Sequence, residues 1–374
     1  MKNLQQTCVC FYLFITIYIA LVLCDEDFFV DENYNTINTN IINKNHINSD
    51  IDTSYYSGGY GYYFDPPPPP TISTNINQIN FLSSLYDATG GDNWKWSTST
   101  TEVEWSFVGT PNPCGNAWQG IVCLNCVDGD VCGITTIDLS SYNLHGSLYN
   151  VTNYIYMTQL LNLTLDNNNI FGSIPTAFNY MTAIENINLS YNQLTGSINL
   201  NFTGFKSLTT LDIANNLFTG QMPIANEEIT GYYIGYNLFN GAIPNNINSM
   251  SSLQSLYAYN NQLTGTIPLN IGLMPALLDL NFGVNYLTGT MPTSMNTLLN
   301  RIQFGSNSLA GPFPIVLLSC PSLTVLDMDA NSFTGTIPAN INQLPGLNTI
   351  NFDFNLFVGA IPDSFGGFTA LCWE

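Results

Sequence analysis

The sequence is poor in positive charge. Five Lys and Arg stand against 26 Asp and Glu, for a formal net charge of −21. A surface of that sign repels phosphate backbones, so no nucleic acid is expected as a partner, and anionic membrane faces are disfavoured for the same reason. Histidine is almost missing: only His46 and His145 occur, one in a polar tract and one in a variable slot, and both read as solvated. There is no G-x-S-x-G, no H-E-x-x-H and no phosphate-binding loop. Carboxylates are plentiful, but nothing in their spacing pairs two of them as a glycosidase requires. The expectation is a protein that is not an enzyme, with no cofactor and no metal. Beyond residue 24 no apolar run could span a membrane; the last one, FGGFTALCW, is far too short.

One long apolar run is present, from Cys8 to Leu23, with Lys2 as the only charge before it and DEDFF after it. Residues 1–24 therefore read as a signal peptide, and the protein as secreted or extracellular. The alternative is an uncleaved N-terminal membrane anchor, for which a stretch of about 16 residues falls short of the ~20 a spanning helix needs. Of nine cysteines, Cys8, Cys10 and Cys24 belong to that segment. Cys114, Cys123, Cys126 and Cys132 crowd together, which in an oxidising compartment means disulfides. Zinc is the rival reading of Cys123-x2-Cys126, although the other pair has the wrong spacing for it. Cys320 falls at a core position equivalent to Leu344, and Cys372 lies two repeats further on. Two repeats of stacking are about 10 Å, beyond bridging reach, so both are expected to be unpaired within the chain.

Residues 25–75 form an arm expected to be disordered. NYNTINTNIINKNHINSD has no useful apolar period, and YYSGGYGYYFDPPPPP ends in a stiff proline spacer that could also be a ligand for an aromatic groove. Residues 76–133 differ in character. INQINFLSSLYDATGG places Ile79, Leu82, Leu85 and Tyr86 on one helical face, and Gly90-Gly91 stops the helix. Four tryptophans follow, and CVDGDVC centres on an Asp-Gly hairpin signal.

From residue 134 to the end one phrase recurs. The Asn before x-L-x-G-x-I-P stands at Asn168, Asn192, Asn216, Asn237, Asn261, Asn285, Asn307, Asn331 and Asn355, and Tyr142 takes its place in an earlier copy. That makes about ten units of 21–24 residues. In LTTLDIANNLFTGQMP, Leu208, Leu211, Ile213 and Phe218 point inward, and the step from Leu211 to Ile213 has strand period. Asn216 sits where the chain leaves the strand, and its amide can serve backbone groups the turn leaves unpaired. Gly220 allows the next bend, and Pro223 stiffens the outer edge. No unit buries its own apolar face, but stacked units do.

L-x-x-L-x-L-x-x-N-x-L-x-G-x-I-P resembles the plant-type leucine-rich repeat. LSSLYDATGGDNW…PCGNAWQGIVC is similar to the N-terminal cap of receptor-like and polygalacturonase-inhibiting proteins. The resemblance covers residues 76–374 and implies an α/β solenoid: a leucine-rich-repeat superhelix with a parallel concave sheet and an N-terminal disulfide cap. It also implies a Cys114–Cys123 bridge around Trp118, and joining the remaining neighbours pairs Cys126 with Cys132 across the hairpin. No C-terminal cap is recognisable.

The concave face can then be read off. The midpoints of its strands run Asp138, Thr164, Asn188, Asp212, Tyr233, Tyr257, Asn281, Gln303, Asp327 and Asn351. Two places after each come Ser140, Asp166, Ser190, Ala214, Gly235, Tyr259, Gly283, Gly305, Asp329 and Asp353. Four N-x-S/T sequons, at Asn150, Asn162, Asn188 and Asn201, are candidate glycosylation sites and all precede Tyr233. A ligand would dock on the sequon-free stretch beyond them. Tyr233, Tyr236, Tyr257 and Tyr259 would supply aromatic contact and Asn281 and Gln303 hydrogen bonds, while Asp327, Asp329 and Asp353 would attract a basic group. The function expected is extracellular recognition of a peptide, glycan or secreted or cell-surface protein, possibly basic. Alternatives are a structural cell-wall or matrix protein and an inhibitor of a secreted wall-degrading hydrolase. A membrane would be met only through an uncleaved signal segment.

Overall fold

The computed structural model describes residues 73–98, 100–124 and 131–368. The expected signal peptide, most of the expected arm, Cys126, the Asp-Gly turn and Cys372 lie outside the described residues. Ser73 and Thr74, placed by sequence in the arm, instead form a short strand, β1 (Ser73–Thr74), parallel to β3 (Val131–Asp138). Backbone pairing extends the cap here without any apolar pattern to announce it.

The cap begins with α1 (Ile76–Ala88). Asn75 caps it, its side chain accepting from the Asn77 N–H at 2.9 Å. Ile79, Leu82 and Leu85 are buried as their spacing requires, and so are Phe81 and Gln78. Gln78 is a strut rather than a core residue: its Nε2 donates to Tyr156 O at 3.3 Å and its Oε1 accepts from Ile134 N at 3.2 Å. The bonds tie the helix to a 3-10 turn of the first coils and to strand β3. The helix ends at Thr89, and Gly90 takes a left-handed φ of 69°. Behind it Trp94, Trp105 and Trp118 are buried together, with the Trp105 and Trp118 rings stacked 5.7 Å apart. A Cys114–Cys123 disulfide closes this region over a Cα separation of 5.7 Å, and Cys132 is also disulfide-bonded. β2 (Ile121–Leu124) runs antiparallel to β3, as the two arms of a hairpin do.

Cap and repeats together build two sheets, of twelve and ten strands among the described residues, parallel throughout except where β2 joins β3, with a short 3-10 turn in most coils closing the third side. Between the sheets lies one continuous core to which each coil contributes the same positions. Leu208, Leu211, Ile213 and Phe218 are all buried, and Cys320 and Leu344 occupy matching buried sites. Cys320 is a free thiol.

The repeated Asn is what makes the turn between the sheets possible. Asn216 is 5% exposed, and its Nδ2 donates to Leu189 O of the preceding coil at 2.9 Å and to Ile213 O and Ala214 O of its own. Its Oδ1 accepts from Leu194 N at 2.9 Å. One side chain gives the Leu194 N–H an acceptor and adds a second donor to carbonyls that also accept from Asn192, Asn237 and the Tyr191 N–H. The same bonds recur from Asn168 to Asn355. Gly220 follows at φ 85°, and a Cβ there would lie 3.1 Å from the Cβ of Ser197 in the preceding coil. The residue after each such Gly packs onto the next coil's Gly, so the repeat's glycine is both a bend and a seat.

Candidate functional site

The longer sheet carries the site. Its midpoint residues are paired in register strand by strand, Asp138 with Thr164, on through Asp212 with Tyr233 and Tyr233 with Tyr257, to Asp327 with Asn351. These side chains form one row because parallel strands at equal register place equivalent residues side by side.

Repeats five and six hold the aromatic part. Tyr233 and Tyr257 meet edge to face with centroids 5.4 Å apart, and Tyr236 meets Tyr259 in the same way at 5.1 Å. Such contacts orient rings more firmly than burial alone. Tyr236, at φ 50°, is 49% exposed, while Tyr233, Tyr257 and Tyr259 are half-buried. The rings find room because the sheet beneath is bare. A Cβ on Gly231 would come within 2.9 Å of the Tyr233 ring.

Tyr233, Tyr257 and Tyr259 line a half-open cavity of about 140 Å³ together with Tyr191 and Asp212. Ala214, Asn215 and Gly235 complete its lining, and Tyr236 stands just outside. Burial pushes the Asp212 carboxyl up to about 6; the Ala214 N–H, which donates to Oδ1 at 3.0 Å, and the Ser190 hydroxyl oppose this, while Asp166 adds to it. Tyr259 is pushed up to about 12, chiefly by burial and then by Tyr236, Tyr191 and Asp212.

Tyr233, Tyr257 and Tyr259 are thus brought together, but Asp212 and Tyr191 join them from repeats four and three. Sequence reasoning missed both as site residues. The signal was present, since Asp212 immediately precedes Tyr233 in the midpoint row. Ala214 and Gly235 likewise precede Tyr259 in the second row, two small residues beside a large one.

The other expected contacts lie further along. Asn281 Nδ2 donates to Gln303 Oε1 at 3.2 Å, and Asn281 Oδ1 accepts from Gly283 N at 3.0 Å, so the two amides partly satisfy one another. Asp329 N donates to Asp327 Oδ1 at 3.2 Å and Asp353 N to Asn351 Oδ1 at 3.3 Å. Burial holds the Asp329 carboxyl above the usual carboxylate range, and neighbouring Asp353 adds to this, against hydrogen bonds from Asp327 and Ser306. The acids form a separate patch, divided from the tyrosines by Asn281, Gln303 and the bare Gly283 and Gly305. Among the sequons, Asn150 and Asn201 are exposed. Asn162 and Asn188 lie on the longer sheet but are engaged: Asn162 Oδ1 accepts from Asn186 at 2.7 Å, and Asn188 Oδ1 accepts from the Ser190 hydroxyl at 2.7 Å. Among the described residues no helix is long and apolar enough to cross a membrane, and no His, Cys, Asp and Glu cluster could hold a metal.

Two family models match the sequence. One, described as Leucine rich repeat, covers residues 158–218, and the other, described as Leucine Rich Repeat, covers 252–274 and 322–344. No curated protein matches. Among solved structures, a plant ice-binding protein shares 23% identity over 80% of this chain and 96% of that chain, at a TM-score of 0.65. The PEPR1–AtPEP1 structure shares 22% over 79% of this chain, at 0.54, and this chain spans only 47% of that one. A leucine-rich-repeat protein of Leptospira interrogans shares 24% over 60% of this chain and 56% of its own length, at 0.51. At these identities the likeness is one of fold.

Proposed function

We propose that this chain, a leucine-rich-repeat protein of the plant type, is an extracellular recognition module that binds a peptide or protein on the longer sheet of its solenoid, centred on repeats five and six. The observation that carries this reading is the tyrosine cluster: interlocked rings on a glycine-bared sheet, around a cavity, on an otherwise polar face. Aromatic side chains with fixed rotamers and partly exposed faces are the usual energetic centres of interfaces. The cap disulfide fits an oxidising, extracellular setting. A chain of the same fold, PEPR1, is solved together with AtPEP1, which agrees with a two-partner role.

The test uses partners captured from the surrounding secreted proteins by the full chain. Replacing Tyr257 and Tyr259 together by Ala should weaken capture by about 2–4 kcal/mol, while leaving the melting temperature within a few degrees. A partner held equally well by the double variant would remove the site from this face.

A second reading has one observation in its favour. The ten-stranded sheet displays exposed Thr-Gly-Thr sets at Thr264/Thr266 and paired Thr at Thr288/Thr290 and Thr334/Thr336, with Thr266 in register with Thr288. A regular array of methyl and hydroxyl groups on a flat sheet suits an ordered surface such as ice, and the plant ice-binding protein shares this fold. Arrest or reshaping of growing ice crystals by the full chain, lost on Thr266→Glu, would move the function to this sheet. Unaltered ice growth would dismiss the second reading.

A further inference from the structure

We infer that the cavity bounded by Tyr191, Tyr233, Tyr257 and Tyr259 is a subsite for one basic side-chain head group, guanidinium or ammonium, of a peptide ligand, with Asp212 as its counter-ion. This rests on the reading of the longer sheet as the recognition face and names the chemistry of its central contact.

The argument starts from the carboxylate. Asp212 is anchored, not loose: Oδ1 accepts from Ala214 N at 3.0 Å, and the Ser190 hydroxyl supports it. Those two donors do not offset its burial, which raises its pKa, with Asp166 close by adding to the rise. A buried carboxylate in that condition favours any cation that can reach it. Among the described residues, none that lines the cavity is basic. Arg301 is paired in register with Asp279 instead, whose carboxyl burial raises while the Arg301 charge opposes that rise.

The walls fit the same ligand. Four phenol rings line the cavity beside Asp212, and aromatic rings attract ammonium and guanidinium groups most strongly when water is displaced. The volume, about 140 Å³, is close to that of a cavity that takes one benzene-sized molecule. A basic head group fits this space and meets both a carboxylate and aromatic rings in it. The net charge of −21 draws cations toward the surface from a distance.

Acetyl-arginine amide, acetyl-lysine amide and the neutral isostere acetyl-citrulline amide, titrated into the full chain at neutral pH while tyrosine ring signals are followed by NMR, test the assignment. The arginine or lysine compound should bind at least about tenfold more tightly than citrulline, shifting the rings around the cavity, and Asp212→Asn should bring the three to within about twofold. The wild-type comparison decides the matter even where Asp212→Asn folds poorly. Citrulline binding as tightly as both bases, no ring shifts with any of the three, or a preference for the bases that survives Asp212→Asn would overturn it. A protein partner lost on Tyr257→Ala/Tyr259→Ala but held at full affinity by Asp212→Asn would remove the cation subsite while leaving the recognition face in place.

Discussion

The Tyr259 ring lies across Gly235 of the preceding repeat, so closely that a Cβ at Gly235 would sit 2.8 Å from its Cε1. Gly235 is not in a left-handed conformation, so alanine would suffer no backbone strain there. Only the ring would have to move, and with it one wall of the cavity. Gly235→Ala should therefore cost stability by no more than about 1 kcal/mol yet lower partner affinity by about tenfold. Thermal melting and binding, measured on the same preparation, check this; equal affinity would mean that the ring position is immaterial.

Asp212 makes stability depend on pH in an unusual direction. Its carboxyl titrates near 6 in the folded chain against 3.8 ordinarily, so the folded state binds more protons between those values. Stability then falls as pH rises through that window, by on the order of 2–3 kcal/mol from this group. The charge of nearby Asp166 adds to the rise. Asp212→Asn should flatten the slope and raise stability at neutral pH. A difference between variant and wild type that does not grow from pH 4 to about 7 would contradict this.

A cation bound beside Asp212 must compete with the proton. Affinity for a basic ligand is expected to be highest above pH 6 and to decline below it, as the carboxyl is neutralised. Together with the preceding expectation, Asp212→Asn should make the chain more stable and less able to bind, the pattern of a side chain kept for function. Titration calorimetry across that pH range reads the first half, and denaturant midpoints the second.

Asn216→Ala removes four hydrogen bonds, leaving the Leu194 N–H without its acceptor and the Leu189, Ile213 and Ala214 carbonyls each with one other donor. The expected cost is about 3 kcal/mol, several times that of changing an exposed residue such as Gln193. Urea unfolding of both variants decides it; similar midpoints would show that water replaces the amide.

Cys320 is fully buried, its Sγ is 3.4 Å from Asn296 O, and burial pushes its thiol pKa up. In a chain with Cys372 changed to Ser it should be inert to thiol reagents until the repeat opens, then react stoichiometrically. Rapid labelling of the native protein would show that the core is open at this coil.

Much of the site was legible because repetition carries register. Asp138 through Asn351 could be aligned in one row from the spacing of Asn168 to Asn355, and the paired strands keep that alignment. Asn216 could be assigned to the turn because a buried amide at each coil has few other uses. Gln78 could not be placed, since apolar periodicity is blind to a polar residue whose partners, Tyr156 O and Ile134 N, lie in another element. Ser73 and Thr74 were invisible for a related reason: they contribute backbone pairing with β3 and, through the Thr74 hydroxyl, bonds to Asn112 and the Cys114 N–H, none of which leaves an apolar pattern.

By itself, then, the sequence determined the stacked coils, the inward Leu and Phe, the Asn ladder and the order of side chains along the longer sheet, because each depends on position within a repeating unit. Whether Asp212 and Tyr191 share a cavity with Tyr257 and Tyr259 was decided only by the tertiary structure. That outcome depends on ring rotamers, on the space left over Gly231 and Gly235, and on which carboxylate loses its water. Those are properties of several coils packed together, and no single coil's residues specify them.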